Sequence, residues 1–407
     1  MTVLLAAEPM TAAYRDVPWA RARELAHAAP TLLPAGRVAL AGAAGLTLAE
    51  ALRAHRPLPG FDTAAMDGHA VGPGPGPWRL RGAVRAGAVW TGGALGPGEA
   101  VEISTGAVVP SGAWAVLPLE DSERPAPSLL AGRTPAEGRH IRRAGEDAPA
   151  GAELAPAGTR VGPALLGLAA ACGHDTLAVR PRPRVRVLVT GDELTHTGHP
   201  APGRIRDALG PLLPSLVDQL GGEVTESRHL PDRPAGALAD AVRRAPHDAD
   251  VTVVTGSTSV GVTDRLRAVL AGGDDRDGAA RWIVDAVACR PGHPQLLARL
   301  PDGHWILGLP GNPYAALVAA HTLLAPLLSG LTGRGLRPLP GVPLTGDIRV
   351  APGRTRLVPV IWDGATARPV GGHRPAFLQG AALADALAAV PPHWQPGGPV
   401  PLLHPIG

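Results

Sequence analysis

Lysine is missing from these 407 residues; every one of the 38 basic side chains is an arginine. Wherever a compact ammonium would be the natural partner of an anion, a planar guanidinium must serve instead. A P-loop is excluded, because that motif requires lysine. Aromatic residues make up only 3%, so the cores must be built mainly from Ala, Val and Leu, with eight Trp as the large exceptions. The two cysteines, Cys172 and Cys289, lie far apart without CxxC or Cys/His spacing, which argues against a zinc site or a disulfide framework. No charged leader followed by an apolar stretch opens the chain, and no window approaches ~18 uninterrupted apolar residues. A soluble, cytoplasmic protein with no membrane contact is therefore expected. Net charge is only +3, with arginines and acids interspersed, so a nucleic-acid partner is not expected either. The 53 Gly and 46 Pro bring many turns, but the polar low-complexity runs of a disordered chain are absent.

The length suits about three domains. Helical patterns run over 19–29 and 46–54 and read as scaffold. Between 57 and 71, PLPGFDTAAMDGHAV surrounds Asp62 and Asp67 with turn formers. Taken alone, Asp67 is an ordinary turn residue. Residues 71–121 alternate short apolar runs with Gly and Pro, predicting a small all-β domain in which 102–110 and 113–121 pair through Ser111-Gly112. Thr105 falls at a strand end, where its hydroxyl either faces a ligand or closes a turn. Arg142, Arg143, Glu146 and Asp147 follow as a cluster of the kind that is usually solvated. A helical pattern returns at 161–171, so the β segment reads as inserted into a helical domain.

From Val185 strands and helices alternate, predicting an open, mainly parallel sheet with helices on both faces and its loops collected at the carboxyl edge. The central unit is 248–272, DADVTVVTGSTSVGVTDRLRAVLAG. A buried strand enters a loop of Gly256, Ser257, Ser259 and Gly261, whose bare amides could cradle phosphate, and Asp264 either caps the next helix or holds a cation. An ordinary strand-to-helix turn explains the same residues. Glu193 and Asn312 belong to the same edge. Beyond 332 the segments 342–360 and 398–403 read as strands of a small β domain, with 377–390 as its helix.

Six blocks together resemble the molybdopterin molybdenumtransferases, the MoeA family to which the gephyrin E domain belongs: 57–71, STGAVVPSGAWAVLPLED at 104–121, IRRAGEDAPAG at 141–151, VRVLVTGDEL at 185–194, GSTSVG at 256–261 and GLPGNP at 308–313. The resemblance implies an α/β multidomain fold. Its parts would be a helical domain (1–56 plus 140–182), an inserted β domain (57–139), a three-layer α/β molybdopterin-binding domain (183–332) and a C-terminal β domain (333–407). It also implies a homodimer, further molybdenum cofactor biosynthesis proteins as partners, and insertion of molybdate into adenylylated molybdopterin with Mg²⁺ and release of AMP. By the same resemblance Asp67, Thr105, Glu193 and Asp264 are the catalytic positions, and Asp232, Asp264 and Glu193 the metal ligands. Substrate would meet Gly256, Ser257, Ser259, Gly261, Arg290, His293, Pro294, Pro310, Gly311 and Asn312.

The chain departs from the family pattern at the oxyanion grip. Arg290-Pro291-Gly292-His293-Pro294 stands where the family has two lysines, and Val262, Ala315 and Pro359 replace an acid, a serine and an arginine. Three readings follow: an active transferase; a homologue that binds the pterin nucleotide or serves as a scaffold without transferring metal; or an enzyme for another oxyanion such as tungstate.

Overall fold

The computed structural model describes residues 15–234, 236–243, 248–256, 264–271 and 279–403. Its contacts divide the chain into two compact units. One gathers the segment up to Gly36, Gly45–Ala49 and Arg180–Gly407; the other gathers Arg37–Ala44 and Glu50–Val179.

The first unit is built on Arg184–Thr190, RVRVLVT, a strand whose valines face one core while Leu188 between them faces another. Val187 and Val189, with Val253 and Leu307, pack against Leu213 and Val217 of helix Leu209–Gln219 and against Leu317. Leu188, Val254 and Ile306 face the other way, against Val242, Leu266 and Leu270. Three layers result, as expected. Glu223–Leu230 and Val251–Thr255 flank the first strand in parallel, and Trp305–Leu309 continues the parallel order. Beyond it the sheet turns antiparallel through Leu296–Arg299 and Arg281–Arg290. It then extends in parallel to Thr355–Trp362, with Cys289 opposite Thr355 and Arg290 opposite Arg356. The remaining strands, Ala386–Val390, Pro399–Leu403 and Gly341–Pro343, follow antiparallel.

The stretch Pro313–Thr332 is helical throughout, long and apolar enough to cross a membrane, and 89% of its apolar window is buried within the protein. Its middle, Ala320–Leu324, widens into a π-turn. Helix Trp19–Ala28 answers that irregularity: the Trp19 indole donates to Thr322 Oγ1 at 3.1 Å, and buried Arg23 donates to the His321 carbonyl at 2.7 Å. A widened turn leaves backbone groups without their usual helical partners, and the arginine satisfies one of them.

The second unit holds a six-stranded sheet in the order Ser122–Ala126, Leu129–Gly132, Trp78–Val84, Glu99–Ile103, Gly68–Val71, Ala115–Pro118. The expected hairpin between 102–110 and 113–121 does not form, because Gly68–Val71 lies between its two arms and pairs antiparallel with both. Gly68 permits this insertion, since a Cβ there would stand 2.1 Å from the Leu117 carbonyl oxygen. Two predicted helices are also replaced. Residues 46–54 hold the short strands Thr47–Leu48 and Leu52–Arg53, and 377–390 divides into a single turn, Gln379–Leu383, and the fully buried strand Ala386–Val390. A short apolar run buried on both faces carries no period by which helix and strand can be told apart. The helix expected at 161–171 forms over Pro163–Ala171, and both cysteines are free and buried.

Candidate functional site

In the α/β unit three loops meet at the carboxyl ends of the parallel strands. Gly256 ends Val251–Thr255 at φ +78°, and a Cβ on it would stand 2.8 Å from Thr190 Oγ1. Gly311 approaches so closely that its own Cβ would meet Gly256 Cα at 3.2 Å. The Gly256 amide donates to Leu309 O at 3.3 Å, and Thr190 Oγ1 donates to Thr255 O at 2.6 Å. The glycines are therefore required by backbone packing backbone, which leaves a surface of main chain at the edge where α/β sheets hold ligands. Pro310 is buried behind it, while Gly311 and Asn312 are exposed. Asn312 starts the helix Pro313–Ala319 without a side-chain cap.

Beside this surface lie the acids. Asp192 and Asp232 come from different loops and exchange hydrogen bonds: Asp232 N–H donates to Asp192 Oδ1 at 2.8 Å, and Asp192 N–H donates to Asp232 Oδ2 at 3.2 Å. Arg265 stands 3.5 Å from Asp232 Oδ1 and donates to its main-chain oxygen. A cleft of about 270 Å³ is lined by Thr190, Asp232 and Arg265. Two carboxylates, each tied to the other residue's main-chain amide, offer oxygen donors of the kind Mg²⁺ takes, an ion usually held by one or two carboxylates and its own waters. No group of three acids, histidines or cysteines forms a metal cage among the described residues. Glu193 is exposed on the same turn, its carbonyl accepting from Ile205 N–H at 2.9 Å. Ser257, Ser259 and Gly261 lie outside the described residues, as does the side chain of Asp264, which opens the helix Asp264–Leu270.

The positive part of the site lies where Arg281–Arg290 joins Thr355–Trp362. Arg290 and Arg356 are register partners, and partners on adjacent strands project to the same face. Arg356 Nη1 donates to Arg349 O at 2.7 Å. Burial, then the charges of Arg290 and Arg349, hold the Arg356 guanidinium below its usual range. Burial and the Arg356 charge push the His373 imidazole down, and His373 Nδ1 is buried without a hydrogen-bond partner. Among the described residues no carboxylate forms an ion pair with Arg290, Arg349 or Arg356. Gly292 packs against the Ala315 carbonyl, and Ala315 N–H donates to Pro375 O, which draws the 290–294 and 373–375 loops to the same helix start. His293, expected at this face, pairs with Asp16; Pro294 beside it is half-buried.

Asp67 and Thr105 meet in the second unit. Thr105 donates twice to Asp67 Oδ1, from its amide at 2.7 Å and its hydroxyl at 3.0 Å. The amide bond, followed by the hydroxyl bond, lowers the pKa of this exposed carboxyl.

Reading the sequence alone missed Asp192, Arg349, Arg356 and His373. Asp192 could have been found as the first acid of TGDEL, beside Glu193. Arg356 could have been found in GRTR only by knowing which strand lies beside it.

Residues 17–173 match the MoeA N-terminal region (domain I and II), 186–330 a probable molybdopterin binding domain, and 341–398 the MoeA C-terminal region (domain IV). Molybdopterin molybdenumtransferase 2 of Mycobacterium tuberculosis is 34% identical over 369 residues, covering 87% of this chain and 90% of its own. The Synechococcus elongatus molybdopterin molybdenumtransferase is 34% identical over 352 residues, covering 82% and 86%. Among solved structures, a molybdopterin biosynthesis MoeA protein from Pyrococcus horikoshii superposes with a TM-score of 0.73 at 26% identity, covering 97% of this chain and all of its own. With three domain matches in succession and relatives aligned over nearly their whole length, this chain belongs to the MoeA family of molybdopterin molybdenumtransferases.

Proposed function

We propose that this protein inserts molybdenum from molybdate into adenylylated molybdopterin, releasing AMP. The observation that carries this reading is the set of guanidiniums Arg290, Arg349 and Arg356, which lacks carboxylate partners among the described residues in a chain otherwise rich in matched pairs. Like charges gathered at one place destabilise a fold unless an anion neutralises them. Such a site suits a tetrahedral oxyanion, because guanidinium offers several N–H donors in a fixed plane. Arg290 fills the position of the family's grip, and His373 offers an uncommitted ring nitrogen close by.

The main-chain surface at Gly256 and Gly311, with Ser257, Ser259, Gly261, Pro310 and Asn312, would cradle the phosphates. Mg²⁺ would be held by Asp232 and Asp192, joined by Glu193 and Asp264; when bound it would neutralise phosphate charge and polarise the scissile anhydride. Asp67, anchored by Thr105, keeps one carboxylate oxygen clear of those bonds for substrate. We further propose a homodimer working in the cytoplasm with other proteins of cofactor biosynthesis, and four domains divided as the family resemblance implies.

The test is incubation of the purified protein with adenylylated molybdopterin and Mg²⁺, with and without molybdate. AMP release that molybdate stimulates is the expected result. Tight nucleotide binding without turnover would overturn the reading in favour of a scaffold, and stimulation by tungstate alone would reassign the oxyanion.

A further inference from the structure

Immediately after the acidic turn the chain forms a small parallel ribbon, Leu194–Thr195 against Ile205–Arg206. It is braced by Arg204, which donates to Leu194 O at 2.7 Å, and by Asp207 N–H, which donates to Thr195 O at 3.0 Å. The ribbon brings His196 and Asp207 together, with His196 Nδ1 3.3 Å from Asp207 Oδ2. The Asp207 side chain is 8% exposed, and its other oxygen accepts from the Leu209 and Gly210 amides, both at 2.9 Å. His229 meets the His196 ring edge-on, with centroids 4.7 Å apart, and donates from Nε2 to Gly191 O at 2.8 Å. These groups line a cleft of about 460 Å³ with Arg206, Arg228 and Ser227.

A carboxylate opposite Nδ1 favours the proton on that nitrogen, and Nε2 is left as the basic one. Imidazoles oriented in this way by a buried acid serve as proton acceptors. We propose that His196 is a general base of this site, taking the proton of the water that attacks the substrate's phosphoanhydride, with Asp207 as its positioning residue. This rests on the proposed transferase reading.

In the step, water oxygen bonds to phosphorus as its proton passes to His196 Nε2. The anhydride P–O bond breaks, and AMP leaves with the electron pair. Asp207 favours the imidazolium that forms. Arg206 and Arg228 oppose it, Arg228 in part only because Glu226 holds it at 3.2 Å. The neighbouring ring of His229 adds positive charge only when it too is protonated.

The experiment measures AMP release and nucleotide binding from pH 5.5 to 8.5 for the parent, His196→Gln and Asp207→Asn. His196 is about half exposed, so its substitution is compatible with folding. We expect His196→Gln to bind nucleotide as the parent does, to lose about a hundredfold in AMP release, the lower end of general-base contributions, and to lose the acidic limb of its pH profile. Asp207→Asn keeps an oxygen for the two amides but should lower kcat for AMP release while nucleotide affinity stays at the parent value, a split that a purely structural role would not produce. Release by His196→Gln at the parent rate and with the parent profile overturns the base alone. If the parent itself releases no AMP, the transferase reading fails, and the base fails with it.

Discussion

The β sheet of the second unit and one corner of the α/β unit use the same basic residue in opposite ways. On the β sheet of the second unit, arginines are matched one after another: Arg79 and Arg81 with Glu99 at 3.3 and 3.1 Å, Arg85 with Glu102 at 2.6 Å, and Arg124 with Glu102 as well. In the α/β unit, which has matched pairs of its own such as Arg186 with Glu226 and Arg267 with Asp285, Arg290, Arg349 and Arg356 stand close together without such partners among the described residues. A matched surface ladder contributes little to stability and does no chemistry. An unmatched cluster is a standing electrostatic cost and becomes favourable only when an anion arrives. A charge count over the whole chain, +3, conceals both arrangements. What separates them is which strands lie side by side.

The largest effect should come from emptying the unmatched cluster. The double variant Arg290→Gln/Arg356→Gln removes two charge-assisted contacts of roughly 1.5–3 kcal/mol each, so molybdate-stimulated AMP release should fall on the order of a thousandfold. Nucleotide binding at the Gly256 surface should persist. Thermal stability should hold or rise, because repulsion is removed, whereas a pair with a structural purpose would lose stability. A variant that melts earlier and still turns over would erase the contrast between the units.

The units should also part company in acid. His321, fully buried beside Arg23, is held down to about 4 by burial and then by the Arg23 charge. Its folded pKa lies below its ordinary value of 6.5, so the unfolded chain takes up the proton first. Stability is therefore complete above pH 6.5 and falls as pH drops from 6.5 towards 4, by about 3 kcal/mol. Glu102 is held down by its bonds to Arg85 and then Arg124. Its contribution is present above its ordinary pKa of 4.5 and is lost only as pH falls through the lower folded value. Hydrogen exchange at pH 7 and pH 5 should show the amides of Trp305–Leu309 losing protection well before those of Gly68–Val71. Equal loss in both strands would mean that the buried histidine does not control acid stability.

His373 allows a finer measurement. Its imidazole is pushed down by burial and by Arg356, so it is neutral at pH 7 in the free protein. An oxyanion bound beside Arg356 would offset that positive charge and raise the His373 pKa, so binding should take up protons. Molybdate affinity should rise several-fold between pH 7.5 and 6, and His373→Phe should flatten the trend. Calorimetry in buffers of different ionisation heat reads the proton uptake directly, and none at all would place the anion elsewhere.

The parts of this molecule that were legible in the sequence are those whose signals are local. The strand RVRVLVT, the glycines of the turns and the acids following strand ends announce a three-layer sheet and its ligand edge because period and punctuation coincide. Ala386–Val390 was not legible, because a run of five buried apolar residues has no polar face to set its period. Nor was the sheet order around Gly68–Val71, since adjacency in sequence suggested a hairpin where a strand from further back intervenes. Arg356 failed to stand out for the same reason: its meaning comes from Arg290 on a strand distant in sequence. Asp192 was visible as a letter, but its partnership with Asp232 depends on two loops meeting.

The smallest effect completes the contrast. Arg81→Gln in the second unit removes one member of a pair whose arginine is about a third exposed, while Arg79 still reaches Glu99. Exposed pairs of this kind contribute about 0.2–1 kcal/mol. Denaturant unfolding should therefore move by no more than that, and AMP release should match the parent. Raising salt to 1 M should mimic the substitution, because screening at that strength acts over about 3 Å. If Arg81→Gln instead slowed turnover tenfold at unchanged stability, a matched arginine would be serving the reaction. Pairing with a carboxylate would then no longer separate structural arginines from functional ones in this chain.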